Sequence, residues 1–388
     1  HSLRGEMVEV HAFCDIGLSD YDGVLLDQFG VIHDGKKALP GAIRTVKKIL
    51  DGKIEIVILS NSSVRASGTH LRLKSLGFPA DRFLGTITAG EHAYNSIKSQ
   101  IEAKTLGRKC LWLGRLPGRE VYDTYTQGLG IEAVSTAKEA NFILLQGTEV
   151  VGRDSHSEKV VGYSFRKTGE IKGELRNFIQ EAVKYRVPLY CLNPDRISLT
   201  PDGSHQYVQG TLAYAYEDAL RAAGVDNPSR LIHLYGKPTK EAYEMCLDIF
   251  QKRGIQKNRV IMVGDSMEHD IKGAENGGIE SVLIASGIHN NQALIPANSF
   301  EKSFTLASLA SFGVWSVLPL LVKRPIGSQA AAIGLVAATF VVGSILRVSQ
   351  RSRKGKMEDL SMVWTTGVEG LARSFGTRPT YVMNRFLW

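Results

Sequence analysis

The sequence predicts an α/β fold in which a parallel sheet is interrupted by a second α/β domain and followed by a membrane-spanning helix. Three observations support this prediction. Apolar strand patterns alternate with helical patterns in both halves of the chain. The middle of the chain has strand and helix patterns of its own. Near the C-terminus, residues 325–346 form one uncharged stretch that is long enough to cross a bilayer.

The composition of the 388-residue chain is that of an ordinary globular protein. Hydrophobic residues make up 43% and charged residues 22%, which excludes collagen-like, coiled-coil and wholly disordered chains. The four cysteines lie far apart and form no CxxC pair. A disulfide scaffold or a structural zinc site is therefore not expected, and a reducing compartment is the simpler interpretation.

The net charge of +8 is concentrated near the C-terminus. From Lys323 onward the chain has 10 Lys and Arg residues against 3 Asp and Glu, whereas the preceding residues contain 37 basic and 36 acidic side chains. The basic segment flanks an apolar run. We therefore expect a membrane surface as its partner, and no nucleic acid.

The first structural unit in the sequence is a strand, a helix and a second strand. The apolar run Val24–Leu26 ends at Asp27 and predicts a buried strand that runs into a turn. Pro40 precedes a helical pattern, and the apolar run Ile54–Leu59 predicts the next strand. This order within about forty residues indicates a βαβ unit and therefore a parallel sheet.

Residues 100–210 are predicted to be an inserted α/β domain that divides the first domain into residues 1–99 and 211–322. The predicted elements of the insertion are strands at Cys110–Leu113, Phe142–Leu145 and Val187–Cys191 and a helix at Gly173–Lys184. After the insertion, the strand pattern of the first domain is predicted to return. The predicted strands are Leu231–Tyr235, Arg259–Val263 and Ser281–Ile284.

Residues 323–347 are predicted to form a single transmembrane helix. At about 1.5 Å per residue, the uncharged residues 325–346 give a helix of roughly 33 Å, close to the ~30 Å hydrocarbon core of a bilayer. A buried helix rich in small residues is one alternative. A hairpin of two spans, the first over residues 303–322, is another.

Residues 348–388 are predicted to form a basic amphipathic tail. Apolar residues recur every three or four positions from Met357 to Phe375, which is typical of a helix that lies on a membrane or on a protein. The aromatic end, Tyr381–Trp388, would be poorly solvated alone. We therefore expect protein partners to bind through residues 357–388, with a frayed terminus as the alternative.

Polar side chains follow four of the predicted strands. They are Asp27, Ser60 with Asn61, Lys237, and Asp265 with Asp270. Taken singly, each is explained by a helix cap or a turn. Together they suit a metal-bound phosphoryl group at the carboxyl edge of a sheet, with Asp27 as the nucleophile and Asp265 as a Mg²⁺ ligand. Lys237, Ser60 and Asn61 would then bind the phosphate oxygens.

Six stretches of the chain resemble class IIA of the haloacid dehalogenase superfamily, the NagD-like and p-nitrophenylphosphatase-like phosphatases. They are LLDQFGVIHDG (25–35), VILSNSS (57–63), CLNPD (191–195), QGTLAYAYE (209–217), LYGKPTKEAYE (234–244) and VIMVGDSMEHDIKGAENGGI (260–279). The resemblance covers roughly residues 20–322. It implies a Rossmann-like core with an α/β cap inserted between the second and third motifs.

The same resemblance implies roles for the matching residues. Asp27 would be the nucleophile and a Mg²⁺ ligand, and Asp265 would be a second Mg²⁺ ligand. Ser60 would bind phosphate, and Lys237 would be the lysine beside the phosphate. The supporting positions are Asp270, which would support the metal and the lysine, and Asn193 and Asp195, which would shape access near the cap–core junction.

The sequence departs from the phosphatase pattern at Phe29. Phosphatases of this superfamily have an acid/base Asp two residues after the nucleophile, and losing such a group typically costs about 10²–10⁴-fold in rate. The backbone carbonyl of Phe29 would still bind Mg²⁺, but its side chain transfers no proton. The simplest interpretation of the nearby His33 and His269 is that they are surface or capping residues. His33 would replace the missing donor only if its ring reached the leaving group.

Three functions are compatible with these residues. The first is a Mg²⁺-dependent phosphatase that acts on a small phosphate ester through an aspartyl-phosphate, with its activity weakened by Phe29. The second is a weak or inactive relative that serves as an accessory structural subunit of an organellar membrane complex. The mitochondrial inner membrane is favoured over a plastid membrane, with the globular domain on one side. The third, which the class IIA resemblance disfavours, is hydrolysis of a carbon–halogen or carbon–phosphorus bond.

Overall fold

The computed structural model describes residues 7–116, 119–152, 158–160, 164–200, 204–289 and 367–388. The chain divides into two compact units. One consists of His1–Ile288 together with Pro379–Trp388, and the other of His289–Arg378. The first unit contains two large sheets, which we call the core sheet and the second sheet.

The core sheet has seven strands, and all of its neighbouring pairs are parallel. In order across the sheet they are β1 (Val8–Val10), β16 (Tyr381–Met383), β15 (Glu280–Ile284), β14 (Val260–Gly264), β2 (Gly23–Leu26), β3 (Glu55–Ser60) and β4 (Gly85–Thr88). The strands predicted within residues 24–26, 54–59, 259–263 and 281–284 are therefore confirmed.

Helices cover both faces of the core sheet. They are α1 (Ala42–Asp51), α2 (Ala66–Ser75), α8 (Lys240–Lys252) and α9 (Lys272–Gly277). The helix after β4, α3 (Ala89–Glu102), packs against the second sheet instead. Because side chains alternate along a strand, Leu26 packs in one apolar core with Val46, whereas Leu25 packs in the other with Phe250. Burial on both faces explains why these strands are continuous apolar runs in the sequence.

The C-terminal residues complete the core sheet. Strand β16 lies between β1 and β15, and the Phe13 amide donates a hydrogen bond to the Leu387 carbonyl over 2.7 Å. Phe386 is buried, and its ring lies edge-on to that of Phe13 with 5.6 Å between the centroids. The aromatic end therefore packs within the chain itself, and the binding of protein partners through residues 357–388 stays a prediction.

The second sheet is formed by the middle of the chain. Its strands are β13 (Ile232–Leu234), β10 (Leu189–Cys191), β7 (Phe142–Leu145), β5 (Lys109–Gly114), β8 (Val150–Gly152) and β9 (Glu158–Val160), with β6 (Glu132–Ala133) beside β5. The helices of this region are α4 (Arg119–Thr126), α5 (Phe165–Thr168), α6 (Gly173–Tyr185) and α7 (Gln209–Ala222). A small hairpin, β11 (Ile197–Leu199) and β12 (His205–Tyr207), is separate.

The second sheet extends past the predicted boundary at residue 210. Strand β13 was predicted to return to the first domain, but it pairs in parallel with β10 instead. Leu212 and Tyr216 of α7 pack in the apolar core of the second sheet. The apolar pattern of Ile232–Leu234 identifies a strand, but it does not encode which of two sheets that strand joins.

The predicted transmembrane segment, residues 325–346, lies outside the described residues, so the span and the organellar location stay predictions. Within the described ranges, none of the helices is both long and apolar enough to cross a bilayer. The predicted amphipathic helix is described only from residue 367. Residues 367–375 are helical (α10), and Val368 and Leu371 are fully buried there.

Candidate active site

The predicted site residues meet at the carboxyl edge of the core sheet. Asp27 directly follows β2, and its amide donates to the Val263 carbonyl of β14 over 2.9 Å. Ser60 is the last residue of β3, and Asp265 directly follows β14. Because β2 lies between β14 and β3, the three strand ends bring these side chains to one place.

Three buried carboxylates form the centre of the site. One oxygen from each of Asp27, Asp265 and Asp270 can be chosen so that all lie within 4.8 Å of one another. Asp270 lies on a π-helical turn, and one of its oxygens accepts a hydrogen bond from the Ser266 amide at 2.9 Å. Asp265 accepts one from the Ile288 amide at 2.8 Å. Backbone donors therefore hold two of the three carboxylates in fixed orientations.

Lys237 reaches this cluster from the loop after β13. Its Nζ lies 2.6 Å from Asp27 Oδ1 and 2.6 Å from Asp270 Oδ1, and its side chain is almost completely buried. Burial disfavours the ammonium ion, but Asp27 and Asp270 outweigh that effect and raise the pKa of Lys237. The lysine is therefore charged in the site.

One ammonium group does not balance three carboxylates. Burial raises the pKa of Asp27 to about 7, although Lys237 opposes the shift. Burial, together with the charges of Asp27 and Asp270, raises the pKa of Asp265 well above its usual range. Full ionisation of the three carboxyl groups would therefore leave an excess of negative charge, which a divalent cation would compensate.

Two glycines allow the backbone to approach Asp265 closely. Gly30 has a φ of +83°, and a Cβ atom added there would overlap the Asp265 carboxylate. A Cβ added at Gly287 would overlap the Asp265 side chain from another direction. Gly287 was not predicted to be part of the site. Its only indication in the sequence is that it follows the apolar strand Ser281–Ile284.

On the phosphate side of the site, Ser60 and Asn61 differ in what they bind. Ser60 is buried, and its Oγ accepts the Ser62 amide at 3.3 Å. Asn61 Oδ1 accepts the Lys237 amide at 2.7 Å, and Asn61 Nδ2 donates to Asp195 Oδ1 at 2.7 Å. Asn61 was predicted to bind phosphate, but both ends of its amide are engaged in positioning Lys237 and Asp195.

Asn193 and Asp195 connect the second sheet to this site. They follow β10, and the Asp195 amide donates to Asn193 Oδ1 at 2.9 Å. Asp195 Oδ1 also lies 3.0 Å from His269 Nε2. His269 was interpreted as a surface or capping residue, but it is buried, and among the described residues its Nδ1 has no hydrogen-bond partner.

Phe29 and His33 lie together beside the nucleophile. Their rings are edge-on with 5.9 Å between the centroids, and His33 Nδ1 accepts the Gly35 amide at 3.1 Å. Burial and the positive charge of Arg72 lower the pKa of His33 to about 4. Its ring is therefore neutral at neutral pH, so His33 does not supply the missing acid.

Two family models match the chain. The model described as haloacid dehalogenase-like hydrolase matches residues 24–126, and the one described as HAD-hydrolase-like matches residues 234–311. The first match contains Asp27, and the second contains Lys237 and Asp265.

Two similar proteins cover most of the chain. A dihydroxyacetone phosphatase of Corynebacterium glutamicum (strain R) is 25% identical over 303 residues, which cover 76% of this chain and 88% of the relative. Chronophin of Homo sapiens is 29% identical over 294 residues, which cover 74% of this chain and 88% of the relative.

Two solved structures share the fold. A haloacid dehalogenase-like hydrolase from Brucella suis 1330 superposes with a TM-score of 0.57 at 23% identity, covering 72% of this chain and 90% of that one. A possible sugar phosphatase from Cytophaga hutchinsonii ATCC 33406 superposes with a TM-score of 0.53 at 20% identity, covering 72% and 89%.

Proposed function

We propose that the chain is a haloacid dehalogenase-like hydrolase of class IIA and that it acts as a phosphatase on small phosphate monoesters through an aspartyl-phosphate on Asp27. One observation carries this proposal. Asp27 lies 2.6 Å from the buried Lys237 ammonium group, inside a cluster with two further carboxylates. A charged carboxylate beside a fixed cation suits attack on a phosphoryl group.

The donor set fits Mg²⁺. Asp27, Asp265 and the backbone carbonyl of Phe29 would hold the ion, because hard divalent cations prefer oxygen ligands and the carboxylates have more negative charge than Lys237 balances. Bound there, Mg²⁺ would supply positive charge that stabilises the phosphoryl oxygens in the transition state.

The residues of the chain account for each bond change. An Asp27 oxygen attacks phosphorus, an O–P bond forms, and the ester P–O bond breaks with its electron pair on the leaving oxygen. Lys237 and the Ser60 hydroxyl stabilise the negative charge of the phosphoryl group. Water then hydrolyses the aspartyl-phosphate and releases inorganic phosphate and Asp27. Because Phe29 donates no proton, the first step depends on the stability of the leaving group.

Turnover of p-nitrophenyl phosphate with Mg²⁺ tests this function. We expect the wild-type chain to hydrolyse it and Asp27→Asn to lose the activity, since the amide is a poor nucleophile. Asp226→Asn makes the same chemical change at an exposed position and is the matched control. Activity that survives in Asp27→Asn, or an inert wild-type chain with every divalent cation, would contradict the proposal.

A second candidate is an accessory protein of an organellar membrane complex, favoured by Phe29 in place of the acid/base Asp and by the uncharged residues 325–346. The test is co-purification from detergent-solubilised membranes, comparing the full chain with a deletion of residues 325–346. The deletion must keep residues 379–388, because these complete the core sheet. An inert chain that assembles only when 325–346 is present would favour this second function.

A further inference from the structure

Arg115 lies at the carboxyl edge of the second sheet, from which loops reach the active site. Strands β5, β7, β10 and β13 are parallel, so their carboxyl ends share one edge. The loops after β10 and β13 carry Asp195 and Lys237 into the site, and Arg115 directly follows β5. Three strand spacings of about 4.8 Å separate β13 from β5, which is roughly 14 Å along this edge.

One nitrogen of the Arg115 guanidinium group has no hydrogen-bond partner among the described residues. This nitrogen, Nε, is buried. The nearby carboxylate, Glu149, already uses both of its oxygens. One accepts Arg166 Nη1 at 2.6 Å, and the other accepts the Leu116 amide at 3.1 Å. A half-buried cation that shares its one nearby carboxylate with Arg166 indicates a place for an external anion.

Arg72 approaches the same region from the core sheet domain. It donates a hydrogen bond to the Gly35 carbonyl. A Cβ atom added at Gly35 would lie 3.0 Å from the Phe29 ring and 3.4 Å from Arg72 Nη2. Arg72 is therefore next to Phe29, two residues beyond the nucleophile Asp27.

We call Arg72, Arg115 and Arg166 the arginine cluster, since the charges of Arg72 and Arg166 both act on that of Arg115. Burial lowers the pKa of Arg115, and the positive charges of Arg72 and Arg166 lower it further, against the effect of Glu149. The backbone of Arg115 is fixed as well, because a Cβ at Gly147 would overlap the Arg115 amide nitrogen. The cluster thus has more positive charge than the neighbouring carboxylate balances.

Building on the proposed phosphatase function, we propose that Arg115 and Arg72 bind a second anionic group of the substrate. The substrate class is then a phosphate monoester that carries a carboxylate or a second phosphate away from the ester to be cleaved. Guanidinium groups bind both anions through paired N–H donors, and the position of Arg72 next to Phe29 suits the far end of such a molecule.

Kinetics on a matched pair of esters test the inference. 3-Phosphoglycerate and glycerol 3-phosphate differ in a carboxylate, and fructose 1,6-bisphosphate tests a second phosphate. For 3-phosphoglycerate, fructose 1,6-bisphosphate or both, we compare kcat/KM with that for glycerol 3-phosphate. We expect Arg115→Met to lower this ratio by about 10- to 100-fold. Arg221→Met, on the exposed face of α7, should leave the ratio unchanged. A ratio unchanged in folded Arg115→Met would overturn the inference.

Two further measurements separate this inference from its premises. Arg72 is exposed, so Arg72→Met should fold and lower the same ratio even if Arg115→Met does not fold. If the chain hydrolyses no ester, calorimetric titration of the same three compounds into Asp27→Asn decides the matter without turnover. The anion site is supported if the affinity of Asp27→Asn for 3-phosphoglycerate or fructose 1,6-bisphosphate falls at least tenfold when Arg115→Met is added. Equal affinity for all three compounds would refute it.

Discussion

Phe29 stands where a phosphatase of this type needs a group that gives a proton to the leaving oxygen. Its half-buried ring is edge-on to His33, and His33 is neutral because burial and Arg72 lower its pKa to about 4. Neither side chain protonates the leaving alcohol at neutral pH. The reaction should therefore favour esters whose leaving oxygen is stable as an anion.

Restoring the acid should change the preference for leaving groups. We expect Phe29→Asp to raise kcat for glycerol 3-phosphate by about 10-fold or more, and to raise that for p-nitrophenyl phosphate much less, because p-nitrophenolate leaves without a proton. Phe29→Asn has nearly the same shape but transfers no proton, so it should give no gain. Equal gains for both esters, or a gain in Phe29→Asn, would contradict this role for position 29.

His33 should make the stability of the fold depend on pH. In the unfolded chain its pKa is about 6.5, whereas in the folded chain it is about 4. Between these values the unfolded state binds a proton that the folded state excludes, so the free energy of unfolding falls as the pH decreases. The loss between pH 7 and pH 5 is about 2 kcal/mol.

The variant His33→Gln removes this titration. Urea unfolding at pH 7 and pH 5 should give a loss of stability for the wild-type chain that exceeds the loss for the variant by about 2 kcal/mol. Any cost of the substitution itself is present at both pH values and cancels in the comparison. An equal loss in the two proteins would show that His33 is protonated in the folded state.

At the residue scale, the sequence identified the groups that lie at strand ends. Asp27 and Asp265 each follow an apolar strand, and that position was enough to predict that they meet. The contact between His269 and Asp195 was not predictable in this way, because it joins two segments distant in sequence. Arg115 follows a strand as Asp27 does, but no functional role was predicted for it.

Among the elements, β16 joins the C-terminal residues to the core sheet. It is inserted between β1 and β15, so it supplies hydrogen-bond partners to both strands. Its apolar side chains, together with Phe386, are buried in the core. The last ten residues therefore belong to the fold of the first unit, although the segment that precedes them belongs to the other.

Substitutions at two neighbouring positions test this role. Phe386→Ala should destabilise the protein by about 3–5 kcal/mol, because a buried aromatic ring leaves a cavity. Leu387→Ala, whose side chain is 36% exposed, should cost about 1 kcal/mol or less. Thermal unfolding of the full chain followed by circular dichroism compares them. Equal effects would mean that the C-terminal residues do not pack against the core sheet in solution.

The sequence predicted two segments correctly but did not predict which neighbouring segments they pair with. The apolar pattern identified Ile232–Leu234 as a strand, and the aromatic end as a segment that needs a partner. Which neighbour each selected depends on contacts between residues far apart in sequence, and short strands carry little local information about them. The fold class and the longer strands were predictable because burial on both faces leaves long apolar runs.

On the scale of the whole first unit, the active site is shared between the two sheet domains. The core sheet supplies Asp27 and Asp265, whereas the loops after the strands of the second sheet supply Lys237 and Asp195. The hydrogen bonds of Asn61 to both of these loops fix the position of one domain against the other. Catalytic geometry and the docking of the inserted domain should therefore be coupled.

The most direct test of this account is the anomalous difference density of a crystal soaked in Mn²⁺, which substitutes for Mg²⁺ and scatters anomalously. We expect one strong peak at coordination distance from both Asp27 and Asp265, and none there in an Asp265→Asn crystal. A wild-type crystal with no peak between these two carboxylates would contradict the claim that they hold a divalent cation beside the nucleophile.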